Sequence, residues 1–161
     1  MNYLGIDPGI SGGWGLLSAN GSYLGGEALP VIRNAGTAWI DGASLWRSVR
    51  HSLPETDWAV MCYVERVHAM PEQGVTSTFS FGVGFGSVLG AVRCMGYPIW
   101  LVTPQKWKRA MLLDSDKSKS LELARTLWPD ATLARKKDTN VAEALLIAHY
   151  ARRQHLQGNH L

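Results

Sequence analysis

Apolar residues along this chain fall into two patterns: short runs that end in a single acid, and longer stretches with helical spacing. Met1-Asn2-Tyr3-Leu4-Gly5-Ile6-Asp7 and Ala59-Val60-Met61-Cys62-Tyr63-Val64-Glu65 are the short runs. Both are rich in branched and aromatic residues and too short for stable helices, so they predict buried strands. Trp14 to Ser18 predicts a further strand, Asn20-Gly21 is the strongest hairpin signal, and Tyr23 to Leu29 returns. The chain therefore opens as an antiparallel three-strand meander. Trp39, Trp46, Val49 and Leu53 recur at helical spacing and predict an amphipathic helix over about 37–53. A loop from Arg66 to Gly74, containing His68 and Pro71, follows the strand that ends at Glu65. A long helix is expected over roughly 76–95, and a fifth strand from Tyr97 to Val102. Pro104 opens a short helix. Ser115 or Asp116 caps another, which Pro129 ends, and a last helix runs from about Asn140 to Arg153. With no repeat or linker, residues 1–161 read as one α/β domain. Its sheet has five strands, an antiparallel meander followed by parallel strands, with helices on the flanks.

The long helix is unusual for its glycines. Gly82, Gly86 and Gly90 fall at i, i+4 and i+8 and make a groove along one face. That groove serves either close packing on the sheet or pairing with a second copy of the chain. Gly82-Val83-Gly84-Phe85-Gly86-Ser87 lacks the spacing of a dinucleotide loop.

Charge sharpens the picture. The net charge of +3 is modest, but the basic residues are bunched. Lys106, Lys108 and Arg109 form one cluster, Lys117 and Lys119 a second, and Arg135, Lys136 and Lys137 a third directly before Asp138. Three clusters in the second half point to phosphate contact. Cys62 and Cys94 have no metal-type neighbours and read as buried thiols of a reducing, cytoplasmic compartment. The chain starts directly on a strand, without a basic-then-apolar leader. Phe79 to Val92 is too short and too polar to predict a membrane span.

The acids carry the chemistry. Neighbouring strands lie about 4.8 Å apart. If the two acid-ended strands are parallel neighbours, Asp7 and Glu65 end side by side, and like charges that close call for a cation or a proton. The carboxyl ends of strands are also where open α/β sheets bind ligands. In the last helix, Glu143 shares a face with Leu146, Ile147 and Tyr150. A carboxylate there is costly to bury unless it is paired or metal-bound. Asp138 would sit about 140° away from Glu143 on a continuous helix. The two converge only if the helix starts after Asp138. Asp7, Glu65, Asp138 and Glu143 are then a four-acid site whose oxygen ligands suit Mg²⁺ or Mn²⁺.

These residues resemble a known family. Leu4-Gly5-Ile6-Asp7-Pro8-Gly9, Val64-Glu65-Arg66-Val67, and Asp138 with Ala142-Glu143-Ala144-Leu145 are similar to the signatures of RuvC-type Holliday junction resolvases. Glu65-Arg66-Val67-His68-Ala69-Met70-Pro71 and the run from Ser77 to Gly86 look like the phage and prophage branch. The resemblance spans nearly the whole chain. It implies a ribonuclease H-like fold, a homodimer, and cleavage of four-way DNA with two Mg²⁺ per site, Mn²⁺ substituting, to leave 5′-phosphates. By position, Asp7 and Glu65 match the first two acids and Glu143 the last. The remaining acid of the family pattern lies three residues before the last, where this chain has Asn140; Asp138 is the nearest acid and the expected ligand. His68 stands where bacterial members carry an aromatic that acts at the junction centre. Lys108 and Lys117 match DNA-contacting positions, with Lys106, Lys136 and Lys137 as further phosphate contacts. A broader flap or fork nuclease and a silent DNA-binding module are the alternatives. A nucleotide-binding fragment is a poor fit, because 161 residues are too few for the two domains such proteins close around a nucleotide.

Overall fold

The computed structural model describes residues 1–35, 37–56, 58–66 and 74–159. Five strands form the main sheet: β1 (Asn2–Asp7), β2 (Gly13–Leu17), β3 (Tyr23–Ala28), β6 (Val60–Glu65) and β7 (Ile99–Val102). Their spatial order is β3-β2-β1-β6-β7. β1 pairs antiparallel with β2 and parallel with β6, in a register that sets Ile6 against Val64. The next residues on those two strands are Asp7 and Glu65, so the expected neighbouring acids are realised. The fold is the expected mixed sheet flanked by helices.

One prediction fails upstream of the first helix. Val31–Asn34 (β4) and Thr37–Ile40 (β5) pair as a separate two-stranded hairpin. Helix α1 then runs only over Gly42–Ser52, capped by Asp41, whose carboxylate accepts from the backbone of Ala43 and Ser44. Trp39 matches the helical spacing of Trp46 and Val49 by coincidence. The N-cap at Asp41 and the β-branched Thr37 and Ile40 win locally.

Helices cover both faces of the sheet. On one face α1 and α2 (Val75–Cys94) pack against Leu4, Ile6, Leu16, Cys62 and Val64. On the other lie α3 (Pro104–Ala110), α4 (Lys117–Leu127) and α5 (Thr139–Leu156), around Tyr3, Met61, Tyr63 and Trp107. α5 crosses β1 and β2 at backbone distance. A Cβ on Gly5 would collide with the main chain of Ala144 and Ala148, and one on Gly15 with Leu145. These glycines let α5 sit low enough for residues in its first turns to reach the end of β1.

α2 spans 20 residues, close to the expected 76–95, and by length and composition alone it is long and apolar enough to cross a membrane. Its buried row is Gly84, Val88 and Val92, with Phe85, Leu89 and Ala91 partly buried against the same core. Gly82, Gly86 and Gly90 are not in that row; a Cβ at any of them meets open space. Sheet packing therefore does not explain the glycine groove. Phe79 beside it is 73% exposed. Cys94 is exposed as well, against expectation, because it lies on this outward side; Cys62 is buried as predicted.

Candidate active site

Three acids from distant parts of the chain meet at the carboxyl ends of β1 and β6. Asp7 is pushed above the usual carboxylate range by burial and by the charge of Glu143; Lys117, the Gly9 backbone and Lys108 pull the other way. Glu65 is pushed up to about 7, mainly by burial, with Asp7 and Glu143 adding to the rise. The indole of Trp107 opposes that rise, its Nε1–H donating to Glu65 Oε2 at 2.7 Å. Glu143, buried on α5, pairs with Lys108 Nζ at 2.7 Å and Lys117 Nζ at 3.5 Å, and Ser120 Oγ donates to it at 3.4 Å.

Asp138, the expected fourth acid, makes its contacts away from these three. It ends a 3₁₀ turn (Lys136–Asp138) ahead of α5, so the helix does start after it. Its carboxylate, however, turns back on Arg135. Oδ2 accepts the Arg135 backbone N–H at 2.7 Å, and Oδ1 pairs with the guanidinium at 2.9 Å. That guanidinium holds Asp138 below its ordinary range. Asn140 lines the same groove as Asp7. Its Nδ2 donates to the Ser11 carbonyl and its Oδ1 accepts from Lys117 at 3.4 Å. Asp7, Asn140 and Lys117 line a groove of about 370 Å³, closed opposite by Ser77, Ser80 and Phe81 of α2.

The predicted basic residues separate into two groups. Lys108 and Lys117 join the acids as ion-pair partners. Lys106, Lys136 and Lys137 are exposed on α3 and the 3₁₀ turn. His68 lies outside the described residues. Sequence reasoning missed Trp107; the only available signal was a tryptophan in a short helix directly preceding Lys108.

The donor set suits a hard divalent cation. It is oxygen-only, and the charges of Asp7, Glu65 and Glu143 oppose one another. Among the described residues, no three acid, histidine or cysteine side chains stand close enough to enclose an ion as placed. As placed, Lys108 and Lys117 contact Glu143, and the Trp107 indole contacts Glu65.

No family model and no curated protein matches the sequence. Solved structures do. The chain is similar to the RuvC of T. thermophilus in complex with a Holliday junction substrate, with a TM-score of 0.69 and 21% identity over 99% of this chain and 98% of that one. A second Thermus thermophilus RuvC structure gives a TM-score of 0.61 and 20% identity, over the same shares of the two chains. The fold of this chain is therefore the ribonuclease H-like fold of those RuvC structures, with an acidic cluster at the carboxyl ends of its two central parallel strands.

Proposed function

We propose that this chain is a divalent-metal-dependent endonuclease that resolves four-way DNA junctions as a homodimer. The observation that carries the reading is the convergence of Asp7, Glu65 and Glu143, from three distant segments, at the ligand-binding end of this fold. Asp7, Glu65 and Glu143 hold Mg²⁺ or Mn²⁺, two ions per site, and Asn140 offers a neutral oxygen beside them. When bound, such ions activate a water for in-line attack and stabilise the leaving oxygen. Lys108 and Lys117 hold the phosphates next to the scissile bond. Lys106, Lys136 and Lys137 contact the arms through phosphates, which favours DNA shape over base sequence. The test compares cleavage of a four-way junction, a Y-fork, a flap and a linear duplex in Mg²⁺ and in Mn²⁺. Paired symmetric nicks in the junction, exceeding cleavage of the others, are expected. Equal cleavage of fork and flap would favour a broader nuclease.

The raised Glu65 pKa sets a pH dependence. Its folded value, about 7, lies above its ordinary 4.5. In cation-free protein the protonated carboxyl therefore contributes stability that is full below about pH 4.5 and lost as pH rises through about 7. A cation binds the ionised form, so its stabilising effect grows over the same interval. Thermal melting should show Mn²⁺ raising Tm clearly near pH 8 and little near pH 5. An equal shift at both pH values would contradict binding at these carboxylates.

The dimer is built through the outward face of α2. Gly82, Gly86 and Gly90 face open space, with exposed Phe79 and Val83 alongside. This favours close backbone approach of a twin helix, and a twofold dimer presents two sites to the two equivalent strands of a junction. Gly86→Leu should separate the chains without lowering Tm, because none of the described residues lies within 4 Å of the added side chain's first atom. Light scattering should report a monomer, and paired junction cleavage should fall. An unchanged dimer would place the interface elsewhere.

A further inference from the structure

We propose that Trp107 is a positioning residue for the acidic site, its indole N–H holding the Glu65 carboxylate in the orientation from which it meets a divalent cation. The inference rests on the metal-site reading above and adds to it a residue that touches neither ion nor DNA.

Trp107 has no exposed surface and belongs to the core beneath α3, α4 and α5. A buried tryptophan usually finds a partner for its ring N–H. Carbonyls and hydroxyls are the commonest acceptors in a core, yet the partner here is the carboxylate that ends β6, at 2.7 Å. A hydrogen bond to an ionised acceptor is shorter and stronger than a neutral one. Indole also has a single donor and no acceptor. It can therefore fix a carboxylate without competing for the cation. Among the described residues, no hydrogen bond reaches the other Glu65 oxygen, Oε1.

The element that carries Trp107 is itself anchored at both ends. Thr103 caps α3 through the Lys106 backbone N–H at 3.3 Å, and Pro104 opens the helix. At the far end Arg153 Nη1, from α5, donates to the Ala110 carbonyl at 2.8 Å. The next residue after Trp107 is Lys108, which reaches Glu143 at 2.7 Å. Consecutive residues of this one helix thus contact acids on β6 and on α5. The two contacts are not equivalent. Lysine is a flexible point charge that a phosphate can draw away. The indole is packed on all sides and keeps its contact when the site is loaded.

The test replaces Trp107 with β-(3-benzothienyl)alanine, which keeps the shape of the ring but has sulfur in place of N–H. Mn²⁺ affinity is measured by calorimetry on the DNA-free protein, beside thermal melting, with wild type and Asp7→Asn as references. Loss of a residue that orients a metal ligand typically costs 10–100-fold in metal affinity. The isostere should therefore bind Mn²⁺ at least ~10-fold more weakly, while 5-fluorotryptophan, which retains N–H, restores wild-type binding. Wild-type Mn²⁺ affinity in the isostere overturns the proposal, even at a lowered Tm, and leaves Trp107 as core packing alone. If the wild-type protein binds no Mn²⁺, or Asp7→Asn binds it equally well, the metal-site reading falls and the Trp107 proposal falls with it.

Discussion

Asp7→Asn is expected to abolish cleavage of a four-way junction while leaving junction binding within a few-fold of wild type. Asp7 ends the central strand of the sheet, with β2 on one side and β6 on the other. It interacts with Glu65 and Glu143 and with both nearby lysines. The amide keeps the size of the side chain and removes its charge. That weakens cation binding at the point where the acids converge, and loss of one group stabilising developing charge typically costs ~10²–10³-fold in rate. In the proposed function binding rests on the basic clusters, none of which the change removes, and Lys117 loses a nearby negative charge. Junction cleavage in Mg²⁺ and gel-shift affinity in Ca²⁺ check the two halves. Cleavage near the wild-type rate would show that the acids at the end of β1 and β6 are not the reaction centre.

Much of this site was legible because its main determinants are local. A strand that ends in a carboxylate needs only a short apolar run and a turn to be seen, and both Asp7 and Glu65 lie where that pattern puts them. Glu143 was visible because the 3.6-residue period placed a charge on an apolar face. What stayed hidden depends on contacts between side chains far apart in sequence. Trp107 and Glu65 are 42 residues apart, and no spacing rule links an indole to a carboxylate. The β4–β5 hairpin was masked by tryptophans that match a helical period while belonging to different elements. The glycine groove of α2 left two readings open. Only the position of the helix on the sheet separates them, since the buried row is Gly84, Val88 and Val92. Asp138 shows how a local contact competes with a long-range one. Counting acids favoured it, but a neighbour three residues earlier, Arg135, offers both a backbone N–H and a guanidinium, and claims it locally.

That local claim leads to the second large effect, which separates three neighbouring residues. Glu143→Gln should lower junction cleavage at least ~100-fold, as removal of a charge-stabilising group does. Its two lysine partners would also lose the anion that holds them at the site. Asp138→Asn should behave differently. The carboxylate closes the turn before α5 by accepting from the Arg135 backbone and pairing with its guanidinium. Weakening such a cap costs on the order of 1 kcal/mol, so Tm should drop by a few degrees while the cleavage rate of the folded protein changes little. Asn140→Ala removes an oxygen that faces the same groove as Asp7 and also frees the Ser11 carbonyl. It should reduce cleavage more than Asp138→Asn does, at a comparable cost in Tm. Rates normalised to folded protein, measured beside melting curves for all three variants, give the comparison. If Asp138→Asn loses ~100-fold in cleavage at unchanged Tm, the Arg135 contact opens when DNA and cation bind, and Asp138 is the fourth ligand after all. If Asn140→Ala is the one that loses activity, the neutral amide completes a three-carboxylate site.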